Sequence, residues 1–381
     1  MSSAAFARLL VMENCWDLLE WLGLDTSTTV FMCLDDPADI VRASAVSRSW
    51  RRFVIASGFS KNLCLRICPE ASNFTHITEV SSSQEGVKVG SSTAIEWESL
   101  EREHKVYTYL SYCLVSPKGK RNCIIKAIRA SSTDNYPDES ILNTLEPREE
   151  VDARPSYWSS GGEVDPGVPE TLTYRLVSKL CIIDEIKVQP FQAFFQPGDP
   201  IYSAKSVRFR MGHSRLSQGT GTSVTEGYAN SHGAANDNYN WTYVSPEFPM
   251  VQENVLQSFK LARPVICIGG ILQIELLGRV QRQATDNLYY ICVCHVRVIG
   301  RPLSPVLDVD VSEEVGNSVL KYFPDTSAVD NEAREFQWHA FAARIRNLGA
   351  WSGWNQEFLN VLLRPVTVSD DEDGSDEDKF E

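Results

Sequence analysis

Basic character is what this chain has least of: 36 lysines and arginines face 50 aspartates and glutamates across 381 residues, and no basic cluster is interleaved with aromatics. That shortage excludes a nucleic acid held through its phosphates. Long apolar runs are missing too. Gln273 and Glu275 break the best candidate, so no stretch reaches the roughly 20 residues that a membrane helix needs. Near the start, the apolar run at 9–12 stops before it is long enough for a secretory signal. The expectation is a soluble chain of the cytoplasm and/or nucleus, with no membrane and no nucleic acid as partner.

Chemistry-bearing patterns are equally scarce. The six histidines, at 76, 104, 213, 232, 295 and 339, fall in separate segments, and no G-x-S-x-G elbow, H-E-x-x-H pair or P-loop occurs. A serine triad, being a matter of geometry, leaves no linear trace. The GTG at 219–221 follows no strand and opens no helix, so it is not a nucleotide fingerprint. Of ten cysteines only Cys64 with Cys68 and Cys292 with Cys294 are close, and no second pair at zinc spacing completes four ligands. No metal, no cofactor and no catalytic residue are expected. Scattered through apolar runs, the cysteines read as reduced, buried thiols.

What is present is apolar content, 43% of the residues, enough for two or three folded units. Residues 24–65 concentrate it. Val30, Phe31 and Leu34 stand at helical spacing; Asp36-Pro37 supplies an N-cap followed by proline at the first helical position. Ile40, Ala43 and Val46 mark one side of a second helix, and Trp50, Phe53 and Val54 repeat the pattern in a third. So short a segment keeps much of its surface. Its apolar residues serve either as the inside of an ordinary three-helix piece or as a partner face.

The segment DDPADIVRASAVSRSWRRF, residues 35–53, resembles an F-box, the helical motif that docks a substrate receptor on the Skp-type adaptor of a cullin ubiquitin ligase. It carries the acidic-proline turn, the Ile-x-Arg-x-Ser-x-Val core and the Trp-Arg pair. Where that family opens with Leu-Pro, this chain has Leu24-Asp25. The resemblance implies that Leu24, Phe31, Leu34, Pro37, Ile40, Val46, Trp50 and Phe53 meet the adaptor, with Trp50 foremost and a few residues each worth about 2 kcal/mol or more.

Residues 1–23 read as a helical lead-in, 24–68 as the F-box, and 69–119 as a linker with a helix over 96–115, because Leu100, Tyr107, Leu110 and Leu114 share one side. From Cys123 the period becomes two. Leu172, Tyr174 and Leu176, then Ile186 and Val188, Val207, Phe209 and Met211, and Leu272, Ile274 and Leu276 alternate with polar neighbours. Tyr290, Cys292, Cys294, Val296 and Val298 mark one face of a strand whose other face begins apolar, as a central strand would. No helical stretch separates these strands, so the sheets are antiparallel and close as a sandwich over 120–301. The class is α+β, with a C-terminal helical segment at 302–368 and an acidic tail at 369–381.

The order ASSTDNYPDESILNTLEP, YWSSGG, PETLTYRL, CIIDEIKV, SAKSVRFRMG and YYICVCHVRVIGR resembles a galactose-binding-like jelly roll of the discoidin and Doc type, and with the F-box it resembles a group of plant F-box proteins. That family holds ligands at loops on one end of the sandwich, which here implies 131–138 and 156–162. Asp134, Asn135, Tyr157 and Trp158 are the client-binding candidates, with Trp158 as a plug and Asp134 as a turn residue in the plainer reading. Residues 212–239 form a long polar loop. Ser369 and Ser375 precede acids as an acidophilic kinase prefers. The function implied is a non-catalytic substrate receptor that brings a protein client to a Skp adaptor and its cullin; the alternative is a lectin-like binding protein with no ligase role.

Overall fold

Turn residues and prolines cut the first part of the chain into short helices, which the computed structural model describes over residues 18–80, 92–151, 154–215, 238–312 and 317–324. These residues belong to one compact unit, 1–326; a second, 327–381, lies outside them. Outside them too are most of the lead-in, the polar linker at 81–91, the loop at 216–237, the C-terminal helical segment past 324, and the acidic tail with Ser369 and Ser375.

Helix α1 (Leu18–Met32) kinks at Gly23, whose φ of 72° suits glycine. At α2 (Pro37–Ser44) the Asp36 carboxylate accepts from the Ala38 amide at 2.8 Å. Ser47 caps α3 (Arg48–Ala56) in the same way through the Trp50 amide, at 3.1 Å. Helix α4 (Phe59–Ile67) follows Gly58, and its Arg66 donates to the carbonyls of Met32 and Leu34, tying down the end of α1. Because α2 stops at Ser44, Val46 lies beyond it and does not share a side with Ile40 and Ala43.

Beyond a single 3₁₀ turn, Pro69–Asn73, the chain forms strand β1 (Phe74–Glu79) where a loop is expected from the sequence. Its partner is 244 positions away: Phe74 pairs in parallel with Ser318 of strand β11 (Ser318–Tyr322). Helix α5 (Ser92–Val115) starts four residues before its expected position.

The sandwich is built from two six-stranded antiparallel sheets. One runs β6 (Tyr239–Val244), β5 (Ala204–Ser214), β8 (Ile271–Arg279), β3 (Glu170–Leu176) and β2 (Ile124–Ala130). The other centres on β4 (Leu180–Gln192), flanked by β7 (Gln257–Ile268) and β9 (Cys292–Pro302). Leu172, Tyr174, Leu176, Ile186, Val188, Val207, Phe209, Met211, Leu272, Ile274 and Leu276 all point into the core between them, as their alternation requires. A third sheet joins β1, β11 (Ser318–Tyr322) and β10 (Leu307–Val311), so strands continue past 301 where helix is expected.

The sheet of β4 and β7 is covered on both faces. Cys181, Ile183, Val265 and Cys267 enter the sandwich core, while Leu180, Ile182, Ile266 and Ile268 pack against Val106, Tyr107, Leu110 and Leu114 of α5. Continuous apolar runs such as LCII and VICI are what two buried faces demand. A bulge between Lys260 and Val265 frees Arg263 to meet Glu70 from the helical side, with both nitrogen-to-oxygen distances 2.6 Å. Burial works to raise the Glu70 carboxyl, yet Arg263 holds it below its ordinary range.

The cysteines among the described residues are free, and all but Cys33 and Cys113 are buried. Burial pushes the Cys64 and Cys292 thiols up to about 12. Among the described residues, no helix is long and apolar enough to cross a membrane.

Two predictions concern stability. Glu170 and Arg279 form an ion pair at 2.6 Å with both side chains buried; Glu170→Ala or Arg279→Ala leaves the other charge alone and lowers urea stability by about 3–5 kcal/mol. The double substitution costs less than the sum. His104, hydrogen-bonded to Ser60 at 3.0 Å, is lowered to about 4, by burial first and then by Arg51. The unfolded chain takes this proton near 6.5 and the folded one only near 4, so His104 contributes stability above 6.5 that is lost as pH falls toward 4. The urea midpoint therefore drops over that window, and drops less in His104→Gln.

Candidate functional site

Two places hold the residues expected to meet another molecule: the helical unit and one end of the sandwich. The helical unit closes around Phe31. Its ring lies 5.4 Å from Trp50, 5.2 Å from Phe53 and 5.3 Å from Phe59, and Ile40, Val54 and Leu63 complete the cluster. Phe31, Pro37 and Ile40, expected at a partner face, are thus buried within this chain. Leu34, Trp50 and Phe53 are half-buried against the same cluster. Four short helices have no other apolar stripe from which to build an inside, so the i, i+3, i+4 positions are used for closure. What stays in solvent is Leu24 (69% exposed), Val46 (55%) and Val30, together with Trp21 (68%) and Met32, two that periodicity did not single out.

The sandwich end is assembled by the buried Arg279–Glu170 pair. Glu170 accepts from Ser131 and Ser132, while Arg279 donates to the Ser160 hydroxyl at 2.8 Å and to the carbonyls of Gly161 and Tyr289 at 2.8 and 3.0 Å. Both expected loops and the turn before β9 are pinned to one ion pair. Above it sits a second apolar floor of Tyr157, Phe191, Tyr202, Tyr290, Cys292 and Cys294. A shift in register between Val293 and His295 turns Cys292 and Cys294 to this floor while Val293, Val296 and Val298 face the main core. His295 is buried, its Nδ1 2.9 Å from the Thr144 carbonyl.

Trp158 does not offer a stacking face. It is buried between the sheets, and its indole N–H donates to the Ser132 carbonyl at 3.1 Å. Tyr157 is stacked on Phe191 at 4.0 Å and donates its hydroxyl to Glu139 at 2.7 Å. Asp134 and Asn135 remain exposed, and the Asp134 amide is held by the Ser159 carbonyl at 3.1 Å. Burial, then the negative charges of Glu139 and Asp286, push the Asp134 carboxyl up. Asp286 accepts from Tyr290 at 2.6 Å and from the Leu288 amide at 2.9 Å, which hold it below its ordinary range. Sequence reasoning missed Glu139, Asp286, Phe194 and Phe195; the adjacent phenylalanines in QAFFQPGDP were the one visible signal. Among the described residues, no three His, Cys, Asp or Glu side chains converge as a metal site would require.

The F-box-like family matches residues 25–66. The F-box protein At4g00755 of Arabidopsis thaliana is 46% identical over 384 residues, covering 96% of this chain and 100% of that protein. Among solved structures, the family 32 carbohydrate-binding module of Clostridium perfringens NanJ, in complex with galactose, is 10% identical over 47% of this chain and 98% of its own, with a TM-score of 0.28. A putative chitobiase fragment from Bacteroides thetaiotaomicron is 7% identical over 50% and 93%, with a TM-score of 0.31. Likenesses of that size say nothing of a ligand.

Core and surface separate cleanly in a stability measurement. Phe31→Ala is expected to cost about 3–5 kcal/mol. Leu24→Ala, at an exposed position, stays within about 0.5 kcal/mol of the parent; thermal unfolding of both variants checks the difference.

Proposed function

We propose, from the premise that this chain belongs to the F-box protein family, that it is the substrate-recruiting subunit of a Skp/cullin/F-box ubiquitin ligase. The helical unit docks the Skp-type adaptor and, through it, the cullin; the sandwich holds a protein client. The chain contributes no catalytic group. It acts by proximity, converting an encounter between client and ubiquitin-loaded enzyme into a local event.

The observation that carries this reading is the surplus left after the helical unit has closed. A cluster centred on Phe31 already provides an inside, yet Trp21, Leu24, Val30, Met32 and Val46 still stand in water within residues 21–46. Apolar surface of that extent on so small a unit supports a protein partner. The joint supports a recruiting role as well. Helix α5 packs on the sandwich through a continuous core reinforced by Arg263 and Glu70, so adaptor and client would be held at a set separation.

Trp21→Ala combined with Leu24→Asp is expected to reduce capture of the Skp-type adaptor at least tenfold in a pull-down, with the unfolding midpoint unchanged. Full capture by this variant would remove the helical face from consideration. Glycan binding with no adaptor capture by the parent chain would favour the lectin-like role.

A further inference from the structure

The side of the sandwich where the chain crosses from one sheet to the other is basic, in a chain whose net charge is −14. Residues 116–133 carry Lys118, Lys120, Arg121, Lys126 and Arg129 and no aspartate or glutamate. Arg121 and Asn122 pair with Gly300 and Ile299 of β9, and two residues later β2 joins the other sheet as its last strand. Asn122 fixes the crossing, its side-chain oxygen accepting from the Val298 amide at 3.1 Å. The acid that meets this crossing is already engaged: Asp184 is bound by Lys120 at 3.1 Å and by Arg301 at 3.1 Å. Among the described residues, Lys118, Arg121, Lys126 and Arg175 form no ion pair.

Two features of β2 are costly for a chain that meets nothing there. Lys126, exposed, stands directly opposite Arg175 of β3, and like charges directly opposite on neighbouring strands destabilise a sheet. The second feature is a bulge. Register shifts between Ile124, opposite Leu176, and Lys126, so Ile125 is an extra residue without a cross-strand partner, and it is 60% exposed. Val177, whose amide donates to the Cys123 carbonyl at 2.8 Å, is 41% exposed at the adjoining strand end. Lysines and bulges also keep sheet edges from pairing with one another. A polar side chain would serve that end better, and the chain places isoleucine at the bulge.

We propose that this edge binds an extended segment of the client protein in which acidic residues alternate with aliphatic ones. Carboxylates accept from Lys126 and Arg175 and relieve their repulsion, with Lys118 and Arg121 further along the crossing, while aliphatic side chains lie on Ile125 and Val177. Cations set along an extended strand, at about 3.3 Å per residue, suit an extended ligand. Nucleic acid fits poorly, because Ile125 and Val177 offer a base no ring to stack on. The assignment rests on the recruiting role above, since it names the chemistry of the client that the sandwich would hold.

The test uses the full chain with its adaptor and a fluorescein-labelled peptide of alternating aspartate and valine, with an asparagine-for-aspartate peptide as control, read by fluorescence anisotropy. Saturable binding is expected for the acidic peptide, at least tenfold tighter than for the control and weakening with added salt. K126Q/R175Q and I125S are each expected to weaken it tenfold or more. The urea midpoint of K126Q/R175Q holds or rises, because the variant removes a repulsion, whereas K260Q, on β7 of the other sheet, leaves peptide binding unchanged. No saturable binding, an equal loss in K260Q, or a lowered midpoint in K126Q/R175Q overturns the assignment. So does capture of a single-stranded oligonucleotide or of phosphatidylglycerol vesicles that K126Q/R175Q abolishes while the peptide does not bind. Adaptor capture is measured on the same samples. Capture without peptide binding removes this site and leaves the recruiting role; peptide binding without capture keeps the acidic-segment site and removes the recruiting role.

Discussion

The architecture depends on covering the outer face of one sheet. Leu180, Ile182, Ile266 and Ile268 point away from the sandwich core, and left in water they would forfeit roughly 1.5–3 kcal/mol each. Helix α5 covers them, and everything N-terminal to it is positioned as a result. The four helices ahead of it reach α5 through Ser60, which bonds His104 and Thr108, and through the Arg51–Glu101 pair. A hydrophobic joint tolerates little sliding, because close-packed side chains have discrete rather than continuous arrangements. The helical unit therefore approaches the sandwich in one orientation.

A different principle holds the far end. Loops cannot bury much apolar area, so the segments at 131–138, 156–162 and 286–290 are organised by a polar group instead. Arg279 reaches Ser160, Gly161 and Tyr289 at once and is neutralised by Glu170, which holds Ser131 and Ser132. A buried ion pair of this kind adds little net stability, but a misplaced loop would leave one charge without its partners. Loop geometry is thus specified by the penalty for alternatives. On that base burial, then the charges of Glu139 and Asp286, push the Asp134 carboxyl up.

The regular parts were legible in the sequence. Asp36-Pro37 marks the start of α2 because an N-cap and a proline act within three residues. The inward residues of β3, β5 and β8 alternate without error because those strands keep a strict period of two. Where a strand bulges the alternation misleads. Ile125, two residues after the buried Cys123, is 60% exposed because the register shifts between Ile124 and Lys126. Cys292 and Val296 belong to different cores for the same reason. Strand β1 was unreadable because a six-residue strand is not stable without its partner, and that partner comes near the end of the described chain.

Local pattern alone determined the short capped helices, the F-box motif, the antiparallel class of the sheets and the absence of recognised catalytic motifs, since each depends on residues within a turn or two of one another. Only the tertiary structure decided which apolar residues of the helical unit are spent on its own core and which remain for a partner: hydropathy ranks Phe31 with Leu24, but only three-dimensional packing assigns one to the inside and the other to water. It likewise decided that Trp158 is core and that Glu139 and Asp286 both act on the Asp134 carboxyl. Those residues come from segments as far apart as 139 and 286, and nothing in a linear pattern records a convergence produced by the closing of two sheets.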